Sequence, residues 1–133
     1  MMVWQLWSRG RDGKPVAVMS HQTALSLFEL GDFNPGKIHM IVPSTFRRNS
    51  RTPKAVVLHR DRLAPADLTH LRGLMVCPPL RALCDLVAAN PDSVGDLRPI
   101  AIEARRRGLI TEFELSAVKR QENSRRFLTG LLP

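Results

Sequence analysis

The sequence predicts an α+β domain: a small, mainly antiparallel sheet with three to four helices packed on it. Three observations carry that expectation. Short β-prone runs bounded by Gly and Pro fill the first half of the chain, and amphipathic stretches at helical spacing fill the second. The length of 133 residues suits one domain, and such a chain buries about two-thirds of the surface that its unfolded form exposes. Neither an internal repeat nor a low-complexity segment interrupts the pattern.

Along the chain, Val3 to Ser8 alternates apolar and polar residues, and Arg9 to Lys14 is a turn with two Gly. Val16 to Met19 is a short strand candidate, and Ser20 fits the N-cap of a helix from His21 to Leu30 that Gly31 stops. Ile38 to Val42, closed by Pro43, is the best strand pattern, and Val56 to Arg60 is the second. Their alternation predicts adjacent antiparallel strands, a hairpin with a long loop. Asp67 to Arg72 reads as a short helical or irregular piece, and Gly73 to Cys77 as a third strand. After Pro78-Pro79, a helix places Leu80, Leu83, Cys84 and Val87 on its inner face. A second helix carries Leu97, Ile100, Ala101 and Ala104 and ends in Arg105-Arg106-Arg107-Gly108. Thr111 and Glu114 form a capping box for a third, with Leu115 and Val118 inward.

Charge is the strongest compositional signal. Twenty Lys+Arg against twelve Asp+Glu give +8, a balance that favours polyanionic or acidic partners. Between Ser44 and Arg62, Arg47, Arg48, Arg51, Lys54, Arg60 and Arg62 face Asp61 alone, a local charge of +5. Arg105, Arg106 and Arg107 are a further cluster. These nine cations are the candidate nucleic-acid or partner-binding residues, because phosphate contact needs cations within reach and no base-edge geometry. An acidic protein surface would attract the same arm, and a charged loop that only keeps the chain solvated stays open. No apolar run reaches the ~20 residues of a membrane span. Trp4 and Trp7 precede Arg9 and Arg11, the reverse of a signal peptide's order. A cytoplasmic protein without a membrane partner is expected.

Catalytic and metal-binding patterns are thin. The acids are scattered rather than grouped to hold Mg²⁺, and no Gly-rich phosphate loop occurs. His39 and His59 lie on the two main strand candidates and face each other if those strands pair, but two His without a third ligand do not make a metal site. His21 reads as a first-turn residue bonded to a neighbouring loop, or as a base working with Asp85; His70 reads as surface. Cys77 and Cys84 read as buried thiols. Arg81 and Asp85 sit at i and i+4, an ordinary helix ion pair or a partner contact. No catalytic, cofactor-binding or metal residue is expected.

Four strings, in this order and spacing, carry a resemblance: Ser20-His-Gln-Thr-Ala-Leu25; Lys37-Ile-His-Met-Ile-Val-Pro43 followed by Arg47-Arg48; Val57-Leu-His-Arg60; and Gly73-Leu-Met-Val-Cys-Pro-Pro-Leu-Arg-Ala-Leu-Cys-Asp-Leu86. Over about residues 4–118 the chain resembles the AbiEi family, the antitoxins of type IV toxin–antitoxin (abortive infection) systems. Cys77 and Ala82 stand where that family usually has Thr. Members usually open with a winged helix-turn-helix, and this chain begins after it. The resemblance is therefore to the C-terminal antitoxin domain, over residues 1–120, with 121–133 a weakly patterned tail. It implies a non-enzymatic domain without a cofactor or small-molecule substrate. Its partner would be a nucleotidyltransferase toxin, and its full-length relatives would also regulate transcription of their operon. Ser20, His21, Pro43, Arg81 and Asp85 would be motif residues with structural roles. The alternative is a nucleic-acid-binding accessory domain of a bacterial transcriptional regulator that uses the basic arm on DNA. The oligomeric state stays open.

Overall fold

A computed structural model describes residues 17–33, 36–46 and 52–119. The alternating segment Val3–Ser8, expected as a strand or the end of a helix, the turn after it and residues 120–133 lie outside them. The elements run β1 (Val18–Met19), α1 (His21–Leu27), β2 (Ile38–Val42), β3 (Val56–Arg60), β4 (Thr69–Leu71), β5 (Leu74–Val76), α2 (Pro79–Ala89), α3 (Val94–Arg106) and α4 (Glu112–Lys119). The α+β class stands, with one helix between β1 and β2 and the other three after the last strand.

The sheet is mixed rather than mainly antiparallel, in the order β3-β2-β1-β5-β4. β1 pairs antiparallel with β2 and parallel with β5. The outer pair β4–β5 is antiparallel. β2 and β3 are adjacent in five-residue register, Ile38 beside Val56 and Val42 beside Arg60, but they run parallel. The expected hairpin is therefore a crossover. Alternation of side chains places residues on faces and carries no information about strand direction. The thirteen residues from Pro43 to Ala55 are long enough for the return that a parallel pair requires. Backbone bonds fix both ends of the crossover: the Phe46 amide donates to the Pro43 carbonyl at 2.9 Å, and the Ile38 amide to the Ala55 carbonyl at 2.8 Å.

β4 corrects the irregular reading of Asp67 to Arg72. Thr69–Leu71 folds back on Leu74–Val76 through a two-residue turn, Arg72-Gly73, with φ of 52° and 81°. Two left-handed residues in sequence make the turn that matches strand twist. Asn is the usual residue at the first of these positions, so Arg72 hid the hairpin.

The core joins the sheet to the helices. Met19, Met40, Ile41, Val42 and Val76 from the sheet meet Ala24, Leu25, Leu80, Leu83, Ala101 and Ile110 from the helical side, and all are buried. α1 packs on β2 and on α2, and α3 packs on α2. The expected inward face of α2 is largely observed: Leu80, Leu83 and Val87 are buried, and Cys84 is half-buried. α1 is shorter than expected. It ends at Leu27 and turns through Glu29 at φ 58°. At α4 the Glu114 amide donates to Thr111 Oγ1 at 3.2 Å, which is the capping half of the expected box, and Leu115 is buried.

Leu83 is fully buried in this core. Leu83→Ala should lower the unfolding free energy by about 2–5 kcal/mol. A urea denaturation midpoint equal to that of the wild type would place Leu83 outside the core.

Candidate functional site

Two polar clusters lie where β1, α1, β2, β3 and α2 converge. The first begins with a short strand followed immediately by a helix. β1 ends at Met19, the Ser20 amide still donates to the His39 carbonyl at 3.0 Å, and the helix starts at once. His21 absorbs that change of direction with φ 52°, a left-handed conformation uncommon outside Gly. Ser20 occupies the N-cap position, as expected, but its hydroxyl does not cap the helix. Ser20 Oγ instead lies 2.7 Å from His21 Nδ1.

His39 and His59 join His21. Both lie on one face of the parallel pair, and His39 Nδ1 is 2.9 Å from His59 Nε2. One of these nitrogens carries the proton and the other accepts it. The His21 and His59 rings stack with centroids 3.8 Å apart and planes 19° from parallel. The His39 and His59 centroids are 5.2 Å apart. The Thr23 hydroxyl of α1 accepts the His39 amide at 2.8 Å and ties the helix to β2. One ring nitrogen from each of the three histidines lies within 4.8 Å of the others. The sequence pattern placed His39 opposite His59 and left out His21, because a third residue eighteen positions away joins them only through the β1–β2 pairing. His70, as expected, is exposed on β4.

Burial sets the electrostatics of this trio. It holds the His21 imidazole down to about 4, helped by His59, His39 and Arg81 and opposed by Asp61. Burial and His59 lower His39, and burial lowers His59. All three rings are therefore neutral near pH 7.

The second cluster centres on Arg81 of α2. The expected ion pair with Asp85 is present, Nε lying 3.1 and 3.0 Å from the two carboxylate oxygens. Two further acids complete it: Asp61 at 2.8 Å and Asp67 at 3.1 Å. Asp61 follows β3, and Asp67 closes a short 3-10 turn by accepting the Ala64 amide at 2.9 Å. Arg81 is thus a hub that fastens the segment between β3 and β4 to α2. Burial disfavours its charge, but Asp85, Asp67 and Asp61 together push the guanidinium above its usual range. Burial lifts the Asp85 carboxyl against the pull of Arg81. Asp85 bonds Arg81, and His21 bonds Ser20, so the structure does not join His21 and Asp85 as a base and its orienting acid.

The cationic candidates divide. Arg47, Arg48 and Arg51 lie outside the described residues. Lys54 stands at the start of β3, where its carbonyl accepts Lys37 Nζ at 2.7 Å. Arg60 and Arg62 stand at its other end. Arg60 reaches the Phe46 carbonyl at 3.4 Å. Pro43, Ser44, Asp61 and Arg62 line a groove of about 450 Å³ there, with Leu63, Leu68 and Met75 in its apolar wall. Arg105 to Arg107 are engaged within the domain. Arg105 pairs with Glu112 and donates to the Ile110 carbonyl, Arg106 pairs with Glu103 at 2.6 Å, and Arg107 donates to the Phe28 and Glu29 carbonyls at the end of α1. Cys77 is buried beyond β5, where its amide extends the sheet to the Met19 carbonyl, and Cys84 lies on α2. Burial pushes each thiol up to about 12, which suits packing rather than nucleophilic work.

No protein-family model matches the chain, and no curated protein matches it. The fold and the two clusters define the class: a small α+β domain whose mixed sheet carries a three-histidine cluster beside a half-buried arginine hub.

Two outcomes follow from this geometry. Arg81→Met should cost about 3 kcal/mol, the lower range for a broken buried pair because Asp61 is half exposed. Stability of the Asp61→Asn variant should change far less, and a chemical denaturation series separates the two. In chelator, the depressed imidazole of His21 should make stability depend on pH. The unfolded chain takes up a proton below pH 6.5 and the folded chain only near pH 4. Stability from this group is thus present above pH 6.5 and is lost as pH falls towards 4, by about 3 kcal/mol in total. As pH falls across that range, the unfolding free energy of the wild type should drop by about 3 kcal/mol more than that of His21→Gln.

Proposed function

We propose that this chain is an AbiEi-like antitoxin domain that antagonises a nucleotidyltransferase toxin, in a protein that also regulates its own transcription. The cationic crossover between β2 and β3 is its contact surface. One observation carries the reading. The crossover leads into the outermost strand, β3, and the sequence from Ser44 to Arg62 has six cations against Asp61 alone. Asp61 is itself bonded to Arg81 at 2.8 Å, so the single acid of the arm is already occupied. The motif residues support the reading by their roles. Ser20 and His21 form the β1–α1 corner, Pro43 ends β2, and Arg81 with Asp85 anchors the return from β3.

A second reading shares the surface: a nucleic-acid-binding accessory domain of a transcriptional regulator, favoured by the same run of cations in the sequence around the edge strand β3. One variant tests both. Replacing Arg47, Arg48, Arg51 and Lys54 by Ala should abolish rescue of cells from the cognate toxin while the circular dichroism spectrum and Tm stay unchanged. Retained rescue would overturn the contact surface. If the wild-type domain binds duplex DNA, log K should fall by roughly 0.9 per neutralised phosphate for each unit of log salt. A slope flattened in the variant by about 3–4, alike on any sequence, with rescue intact, would favour the second reading.

A further inference from the structure

We propose that His21, His39 and His59 form a binding site for one divalent transition ion of the imidazole-preferring kind, such as Zn²⁺, with water completing the coordination. The site is independent of the antitoxin reading. Its donors come from three segments, the β1–α1 corner, β2 and β3, and their ring nitrogens already lie within 4.8 Å of one another. A tetrahedral ion with Zn–N bonds of about 2.0–2.1 Å holds its nitrogens about 3.3 Å apart. The His39–His59 contact of 2.9 Å opens slightly to meet that spacing, and His21 closes on the pair by a ring rotation within its broad χ2 range.

The protons are arranged for this. Ser20 Oγ lies 2.7 Å from His21 Nδ1; in the tautomer that carries its proton on Nδ1, the hydroxyl accepts it and the Nε2 lone pair is left for the ion. A hydroxyl on the second ring nitrogen is the kind of outer partner that orients a ligating imidazole. The His39–His59 contact holds one proton between two nitrogens, so the acceptor's lone pair is released when that bond opens. The second is freed when the donor ring moves its proton to its other nitrogen. Arg81 also acts on His21, but three carboxylates surround that guanidinium, so no bare cation opposes the ion. Among the described residues no further His, Cys, Asp or Glu joins the group, and water supplies the remaining position. His21 also keeps a left-handed φ of 52° at the corner that aims its ring at the other two. His39 and His59 by themselves lack a third ligand, and the fold supplies it as His21.

The bound ion ties the start of α1 to the two strands that begin and end the cationic crossover. The test uses the full chain, stripped with chelator and dialysed. Zn²⁺ added alone should bind with a stoichiometry of one, in competition with a chromophoric chelator. It should raise Tm along a saturating curve, as expected for a ligand of the folded state, whereas Mg²⁺, an oxygen-preferring ion, should leave Tm unchanged. Co²⁺ should give the intense visible absorption of a low-coordinate nitrogen site. His39→Gln and His59→Gln should each weaken Zn²⁺ by more than the ~10–100-fold that loss of an outer partner costs, and His70→Gln should match wild type. Where a variant fails to fold, the imidazole NMR resonances of the wild type decide the matter, since those of His21, His39 and His59 should shift together at one equivalent of Zn²⁺. The proposal is overturned if binding is absent, if His70→Gln weakens it as much as His59→Gln, or if those three resonances stay in place. The trio is then only a hydrogen-bonded polar cluster.

Discussion

A two-residue strand holds the centre of the sheet, and the rest of the structure depends on it. Val18 and Met19 pair with β2 on one side and β5 on the other, so both halves of the sheet meet on three partner residues, Ile41, Met40 and Val76. Such a short strand cannot hold a sheet by its ladder alone. It is held because both residues are buried and because flanking amides extend the ladder: Ser20 to the His39 carbonyl and Cys77 to the Met19 carbonyl. Immediately after it the chain must leave the sheet. The turn falls on His21, whose left-handed backbone is the local cost of placing a helix directly against a central strand.

That corner explains why polar residues gather at an otherwise apolar junction. A strand-to-helix change leaves no loop to carry buried polar groups to solvent, so they must be satisfied in place. Thr23 takes the His39 amide, Ser20 takes the His21 ring, and the imidazoles take each other. Among the described residues no buried side-chain nitrogen or oxygen lacks a partner. Neutral imidazoles suit the place because each can both donate and accept, while burial disfavours their charged form.

The arginine hub solves a different problem at the same end of the sheet. The segment from Asp61 to Leu68 links two strands on opposite edges and contributes little to the apolar core. Arg81 replaces apolar packing there with charge-assisted bonds to Asp61 and Asp67, and Asp85 fixes its guanidinium from the same helix. Because the hub holds Asp61, Arg60 and Arg62 stand at the end of β3 beside an acid that is already bonded. Crossover, hub and histidine cluster therefore share one strand, β3, which carries His59 on its face and cations at both ends.

The sequence by itself determined the class, the strands at Ile38–Val42 and Val56–Arg60, the inward face of α2 and the Arg81–Asp85 pair. These features depend on period, Pro and Gly punctuation and i, i+4 spacing, all of which are local. It also placed His39 and His59 on one sheet face, since a period of two survives any strand direction. Only the tertiary structure decided the rest. Direction was not legible, because the alternation of β2 and β3 is the same read either way and a thirteen-residue connection serves a hairpin or a crossover. The hairpin at Arg72-Gly73 was hidden because its left-handed pair lacks the usual Asn. Neither the third histidine nor the two extra acids on Arg81 could be read from spacing. His21 lies eighteen residues from His39, and Asp61 lies twenty from Arg81. Such partners meet only when sheet pairing and helix packing close the chain over those distances.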